Sequence, residues 1–574
     1  MFLNSAAIAT AGGIARPTAA LGRQDVADLQ ATRATKATGS RAAAATVSPL
    51  ATNAAMQAFD RGGNAIDAAI AASVMLSVVD GHNSGLGGGC LALIKTADGE
   101  LLALDGREMA PSRATPEMFY TNGRPDPSKS QIGPLASGVP GLLSTLVQMH
   151  DRLGRLPMSH ALLGAAEVAE AGFHIPPSYA RRLSSAAKHL AKFPSSAAVL
   201  LDARGKPWQD GHRLQQSDLA KSLRMIASDG PDWFYQGAFA QQVEKYMQDA
   251  GGMLKAADFA AYKTIQRKPI RTGYLDNQVY GFPPPSSGGI HNAQMLGMLS
   301  QFDVSAAFEH SEARGRHLLL EVMKRAMADR AYWLGDADFA KVPRSLLDMD
   351  YLAQRAKSIR LDAASDVASH GTPPRADVDL FGKGGHTTHL TTADGEGNVV
   401  ALTQTVNTTF GSKVIVPGTG IVLNNELDDF SIAPGVRNAF GLLGSEANLI
   451  APGKRPLSSM SPTIAKSPGG GVLACGAAGG PKIITTVLQI LVRSLALGKS
   501  IDEAVAAPRS HHQWSPNEAV CETGMGETVL SELGALGHSI RKIGSAAVAS
   551  GLHINGGTIT VASDPRVESS AQAS

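Results

Sequence analysis

The sequence predicts a layered α/β protein, and three observations carry that expectation. Runs with strand character lie near residues 91–95 and 101–105, residues 142–265 read mostly as helices, and strand character returns after residue 386. Strands, then helices, then strands again in one chain suit a body in which helices cover sheets.

The elements follow in order along the chain. Residues 1–45 are rich in Ala, Thr and Gly with few apolar anchors, which predicts a mobile N-terminal arm or a weak signal segment. Folded sequence is expected to begin near Ser48-Pro49, an N-cap residue followed by proline at the first helical position. That helix should end at Gly62-Gly63, and a second, largely buried helix should follow over Asn64 to Leu76. The strands near 91–95 and 101–105 are split by Asp98-Gly99, which predicts a hairpin leading into Arg107. A second hairpin is expected where Asp394-Gly395-Glu396-Gly397-Asn398 joins two runs rich in Thr and Val, with Thr405 or Asn407 returning close to Thr387. Pro481 to Val492 reads as a buried helix with proline in its first turn.

Composition narrows the function classes without choosing one. The 574 residues are 44% hydrophobic and 18% charged, ordinary globular usage. A net charge of +2 gives no reason to expect nucleic acid or an anionic membrane as partner. No run approaches the roughly 20 apolar residues of a membrane-spanning helix. Cys90, Cys475 and Cys521 are scattered, so they suggest neither a disulfide framework nor a metal site. His511-His512 lacks a third ligand at a usual spacing, and no metal or cofactor is expected. Gly85-Leu86-Gly87-Gly88-Gly89 lacks the strand-to-helix context of a nucleotide loop, and Ser286-Ser287 that of a serine hydrolase.

The segment Gly384-Gly385-His386-Thr387-Thr388-His389 is where the chemistry is expected. A threonine hydroxyl is a weak nucleophile until a base stands beside it, and its own α-amine can be that base once the chain is cut before it. The surrounding motifs extend the pattern: Arg107-Glu108-Met109-Ala110-Pro111, Ala136 to Gly141, Pro283 to Gly289, Asn407-Thr408-Thr409-Phe410-Gly411, Leu423 to Ser431, Lys454 to Pro462 and Gly476 to Gly480. Together, from about residue 45 to about residue 566, they resemble the γ-glutamyltranspeptidase (glutathione hydrolase) family.

That resemblance implies a four-layer αββα sandwich of the N-terminal nucleophile hydrolase type. It implies a precursor that cuts itself at His386-Thr387 into a large subunit, residues 46–386 behind the arm, and a small subunit, residues 387–574, which stay together as a heterodimer. Thr387 would then carry a γ-glutamyl ester taken from glutathione or a related compound, and pass it to water, an amino acid or a dipeptide. Thr405 would orient the nucleophile. Gly479 and Gly480 would supply oxyanion donors, worth roughly 3–4 kcal/mol for one good donor. Arg107, Ser458 and Ser459 are expected to grip the α-carboxylate, and Asn407, Glu426 and Asp429 the α-ammonium group. The planar fork of Arg107 suits a carboxylate.

The sequence also departs from the family pattern. Glu426 stands at a position where relatives carry Gln or Glu, Phe440 replaces a lid tyrosine, and both Gly476-Ala477-Ala478 and Gly81 to Cys90 are variants. By resemblance the protein is expected to be periplasmic or secreted, with the cytoplasm as the alternative. Two other functions remain open: a related amidase or acylase with a different acyl donor, and an unprocessed γ-glutamyl-binding scaffold.

Overall fold

The structure, a computed structural model, describes residues 34–373 and 387–574. Two seven-stranded sheets form its centre. In hydrogen-bonded order, the first runs Lys36–Gly39, Thr558–Ser563, Val548–Asn555, Val472–Ala478, Thr463–Lys466, Asn277–Gly281, Ile270–Tyr274. The second runs Ser570–Ala573, Ala42–Thr46, Thr388–Asp394, Val399–Thr405, Gly89–Lys95, Leu101–Gly106, Ile265–Arg267.

Side-chain alternation explains the layering. In the second sheet Leu91, Leu93, Val399 and Ala401 meet Ile464, Val472 and Leu552 of the first, forming the core between the sheets. Their neighbours Ala92, Ile94, Val400 and Leu402 face the opposite way, into helices that include Pro49–Asp60 and Ala65–Val79. Helices Gly288–Leu299, Glu312–Trp333 and Lys482–Leu495 cover the outer face of the first sheet. The result is the expected αββα sandwich, and strands such as Gly89–Lys95 and Val472–Ala478 read as apolar on both faces because both are buried.

The first two helices start as the sequence suggests. Ser48 holds the N-cap of Pro49–Asp60, although its hydroxyl makes no cap; its backbone N–H donates instead to Thr46 Oγ1 at 3.1 Å. Asn64 caps Ala65–Val79 by accepting from Ile66 N at 2.9 Å and Asp67 N at 3.1 Å, while Asp67 accepts from Asn64 N at 2.9 Å. This reciprocal pair satisfies donors that helix geometry leaves over. All fifteen residues of that helix are buried.

One expectation is corrected. Residues 1–45 do not form an arm throughout, because Lys36–Gly39 and Ala42–Thr46 are strands, the latter paired directly with Thr388–Asp394. Ala43 and Ala45 turn toward the other sheet and Ala44 toward the helices, so the strand is buried on both faces by side chains too small to produce an alternating pattern. Residues 1–33 lie outside the described residues. Among the described residues no helix is long and apolar enough to cross a membrane.

Candidate active site

The expected hairpin consists of Thr388–Asp394 and Val399–Thr405, with Thr388 opposite Gln404. One step beyond that pair, the register sets Thr387 opposite Thr405. Alternation decides where these side chains go. Thr388 donates to Asp80 and Thr392 Oγ1 to Ala65 O at 2.7 Å, both on the helix side. On the other face His389 lies over Gly476, where a Cβ would collide with the imidazole, and Thr391 Oγ1 donates to Ser550 Oγ at 3.4 Å. Thr387 has the parity of His389 and belongs to the face between the sheets. It is 3% exposed and lines a cleft of about 830 Å³ together with Gly479. His386 lies outside the described residues.

Thr405 Oγ1 accepts from Asn407 N at 2.7 Å, which leaves its own proton to donate elsewhere. Asn407, at φ +75°, donates through Nδ2 to Asn425 O at 2.8 Å. The chain behind this turn is packed tightly: a Cβ at Gly88 would collide with the carbonyl oxygen of Thr405. Gly87, Gly88 and Gly89 are therefore close backbone approaches. Gly479 (φ +142°) and Gly480 (φ +61°) make the turn from strand Val472–Ala478 into helix Lys482–Leu495, with Pro481 at the N-cap position, just before the first turn.

The expected binding residues converge on a buried charge cluster. Arg107, wholly buried, donates through Nη2 to Asp429 Oδ2 at 2.6 Å, through Nη1 to Glu426, and through Nε to Pro456 O at 3.1 Å. Glu108 stands 3.6 Å from the same guanidinium. Three carboxyls thus surround one cation in a buried site. Burial pushes Glu108 up to about 7 and raises Glu426 and Asp429 well above the usual carboxylate range, against the pull of Arg107. Ser458 and Ser459 flank this cluster. Ser458 Oγ accepts from Met460 N at 3.1 Å, and Arg107 Nη2 donates to Leu457 O at 3.2 Å. Ser286 and Ser287 are fasteners here, since their hydroxyls donate to Met460 O and Ser458 O at 2.5 and 3.0 Å.

A family model, Gamma-glutamyltranspeptidase, matches residues 51–574. A glutathione hydrolase proenzyme of Escherichia coli strain K12 is 40% identical over 498 residues, covering 86% of this chain and 85% of its own. The chain belongs to the gamma-glutamyltranspeptidase family. It is an enzyme of that family's hydrolase and transferase class. An acylase ACY 1 proenzyme of Pseudomonas sp. strain SE83 is 37% identical, covering 90% of each chain. Among solved structures, a cephalosporin acylase from Bacillus halodurans superposes with a TM-score of 0.83 at 25% identity, covering 95% of this chain and 97% of its own.

Two residues beside the Arg107 cluster escape a reading of the sequence. Arg330, on helix Glu312–Trp333, is 2% exposed and donates to Ser287 Oγ at 3.2 Å and Ser459 Oγ at 3.4 Å. Burial pushes its guanidinium down to about 10. Asn438, in the segment carrying Phe440, donates to Asp429 Oδ1 at 3.3 Å and lines, with Arg330 and Leu457, a cavity of about 10 Å³. That volume holds about one water. Asn438, two residues before the position weighed from the sequence, is thus the side chain of that segment that meets Asp429.

Histidines outside the site play structural parts. His511 bonds Thr485 Oγ1 at 2.9 Å while His512 accepts from Trp514 N at 3.0 Å. Among the described residues His317, Glu321 and His538 bring ligand atoms together. Glu321 is already paired with Lys324 and Arg325, and both nitrogens of His317 are bonded, to His538 and to Arg360 O, each at 2.7 Å.

Asp80 offers a test of stability. Burial raises its carboxyl from 3.8 to about 7, against hydrogen bonds from Thr388 and Asn83. Because the folded pKa exceeds the unfolded one, the protonated form favours folding below pH 3.8, and this contribution is lost as pH rises through 7. The loss is on the order of 4 kcal/mol. In a chain kept uncut by Thr387→Ala, Asp80→Asn is expected to raise the urea midpoint at pH 8, with the gain shrinking toward pH 4. Equal gains at both pH values would remove the titration from the account.

Proposed function

We propose that the chain is a precursor that cuts itself at His386-Thr387, separating residues up to 386 from a small subunit of residues 387–574, and then works as a γ-glutamyl hydrolase and transferase. The observation that carries this reading is the placement of Thr387 opposite Thr405, in one cleft with Gly479 and at the same end of the sandwich as the Arg107–Glu426–Asp429 cluster. In maturation, the Thr387 hydroxyl oxygen attacks the carbonyl carbon of residue 386. The peptide C–N bond gives way to an ester, and water then releases the α-amine of Thr387.

In turnover that amine takes the hydroxyl proton as Thr387 attacks the γ-carbonyl carbon, and delivers it to the leaving nitrogen. Thr405 donates its hydroxyl proton to the nucleophile's oxygen, and backbone N–H groups at Gly479 and Gly480, ahead of a helix start, receive the oxyanion. Arg107, Ser458 and Ser459 hold the α-carboxylate, with Arg330 fixing Ser459. Asn407, Glu426 and Asp429 hold the α-ammonium group, which supplies the positive charge that three crowded carboxyls lack. Glutathione is the donor class that the E. coli relative's name indicates. The family's usual periplasmic or secreted location completes the proposal.

The first experiment is intact mass under denaturing conditions, followed by release of a chromogenic amine from a γ-glutamyl anilide on the same sample. The expected result is two chains, the second beginning at Thr387, together with release. One persistent chain without turnover would establish the binding scaffold instead. Two chains without release would favour the acylase reading, which the 37% identical acylase proenzyme keeps in view.

A further inference from the structure

The turn that carries Asn407 is held in an unusual shape. Between Asn407 and Lys413 the backbone is left-handed at Asn407 (φ +75°), Phe410 (φ +57°), Gly411 (φ +50°) and Lys413 (φ +71°). Glycine adopts such angles freely, whereas phenylalanine and lysine meet steric resistance there. Strain of this kind persists only where surrounding bonds over-determine it, and it gathers at functional sites. Asn407 stands at the head of the turn, directly after Thr405 and Val406, and its N–H donates to Thr405 Oγ1 at 2.7 Å.

Lys413 supplies the bonds. It is 7% exposed, and its ammonium folds back into its own turn, donating from Nζ to Thr408 Oγ1 at 2.9 Å and to Gly411 O at 2.5 Å. Burial pulls that ammonium down to about 8, against the pull of Asp428. The Asp428 carboxylate is engaged by Ser130 Oγ at 2.6 Å and Ala439 N at 2.9 Å. A lysine desolvated in this way costs stability that an uncharged side chain of similar length would spare.

The ammonium sets the direction of the Thr408 hydroxyl. Nζ takes both a lone pair of Thr408 Oγ1 and Gly411 O, which lies 3.2 Å from the same hydroxyl, so the hydroxyl proton is aimed at Asn425 Oδ1 at 3.0 Å. Thr408 N donates to that Oδ1 at 3.0 Å, and Asn425 Nδ2 donates to Gln131 O at 3.0 Å. With its side chain pinned at both ends, Asn425 presents its backbone carbonyl to Asn407 Nδ2 at 2.8 Å. That bond fixes which end of the Asn407 amide donates and which end can accept from an ammonium.

We propose that Lys413 is a positioning residue for the donor's α-ammonium group: through Thr408 and Asn425 it holds the Asn407 amide in the orientation that accepts from that group. The inference rests on Asn407 being a receiver of the α-ammonium group, as in the function proposed above. Lys413 acts at one remove from the donor, so it governs how tightly the donor is held and leaves the bond-making steps at Thr387 alone. Without its charge the Thr408 hydroxyl turns to Gly411 O, and Asn425 and Asn407 lose their fixed orientation.

The test uses the mature two-chain protein and a γ-glutamyl anilide. Lys413→Met is expected to raise KM about tenfold while kcat changes by less than about twofold, the mark of binding lost equally from ground and transition states. Thr408→Val, which keeps the shape of the side chain and removes the relaying hydroxyl, should act in the same direction. In an Asn407→Ala background Lys413→Met should raise KM no further, because the residue through which it acts is gone. Two chains on a denaturing gel are the folding control, and Thr408→Val carries the expectation alone if Lys413→Met fails it. An unchanged KM, a fall in kcat in place of the rise in KM, or a rise that repeats in full on Asn407→Ala overturns the positioning role and leaves the chemistry of Thr387 standing. A wild-type KM in Asn407→Ala itself removes the assignment of Asn407 and this role with it, whereas wild-type protein that cleaves no anilide overturns the parent reading as a whole.

Discussion

Thr387→Ala is expected to remain a single chain and to release no amine from a γ-glutamyl anilide, a loss of at least about 10⁴-fold on the scale of removing a nucleophile. Two events fail together because one oxygen performs both, attack on its own preceding carbonyl and attack on the donor. Thr387→Ser separates the effect of the hydroxyl from that of the methyl group and should still mature and turn over. Denaturing mass and anilide kinetics on the three proteins decide the matter. An alanine variant that is cut and active would sink the assignment of Thr387. The substitution should cost the fold little, since Thr387 lies just before its strand and the ladder bonds of Thr388 onward are made by the backbone.

The second large effect is expected at Asp429. Asp429→Ala should mature into two chains and lose about 10²- to 10³-fold in kcat/KM for γ-glutamyl donors, roughly the value of one buried charge contact to an ammonium group. The variant keeps Glu426 and Glu108 beside Arg107, so the cation is not left bare. Removing one of three crowded carboxyls also relieves like-charge repulsion, which limits the folding penalty usual for a broken buried pair. Asp429→Asn, which retains the shape and removes the charge, should lose nearly as much. Donors lacking the α-amine provide the control: glutaryl anilide has no ammonium group for Asp429 to meet. Unchanged γ-glutamyl kinetics in both variants would transfer the protein to the acylase reading.

Some of this was legible in the sequence and some was hidden for physical reasons. Ser48-Pro49 announced a helix start because capping and a first-turn proline are local chemistry, and Ser48 does hold the N-cap of Pro49–Asp60; the Asn64–Asp67 exchange that starts the next helix was not read. Asp394-Gly395-Glu396-Gly397-Asn398 likewise announced a hairpin that returns Thr405 or Asn407 toward Thr387, and the observed register selects Thr405. Ala42–Thr46 gave no such sign. An alanine strand buried on both faces has no alternation to read, and its partners lie more than three hundred residues away in Thr388–Asp394 and beyond five hundred in Ser570–Ala573. The role of Arg107 came through family motifs, whereas its bonds to Glu426 and Asp429 depend on segments far apart in sequence. Arg330 was invisible for the same reason: its partners Ser287 and Ser459 are brought to it only by tertiary packing.

The strand order has a further consequence. Both sheets hold strands from before and after the proposed cut: Ala42–Thr46 lies between Ser570–Ala573 and Thr388–Asp394, Val399–Thr405 lies beside Gly89–Lys95, and in the first sheet Thr463–Lys466 lies beside Asn277–Gly281. Two polypeptides woven in this way have no interface along which to part, so dissociation and unfolding become one event. The uncut chain threads this weave with its ends tethered, whereas separate pieces would have to find each other and interleave. Maturation therefore discards the tether that made folding efficient, and the finished enzyme owes its persistence to slow unfolding, with no easy route back once undone.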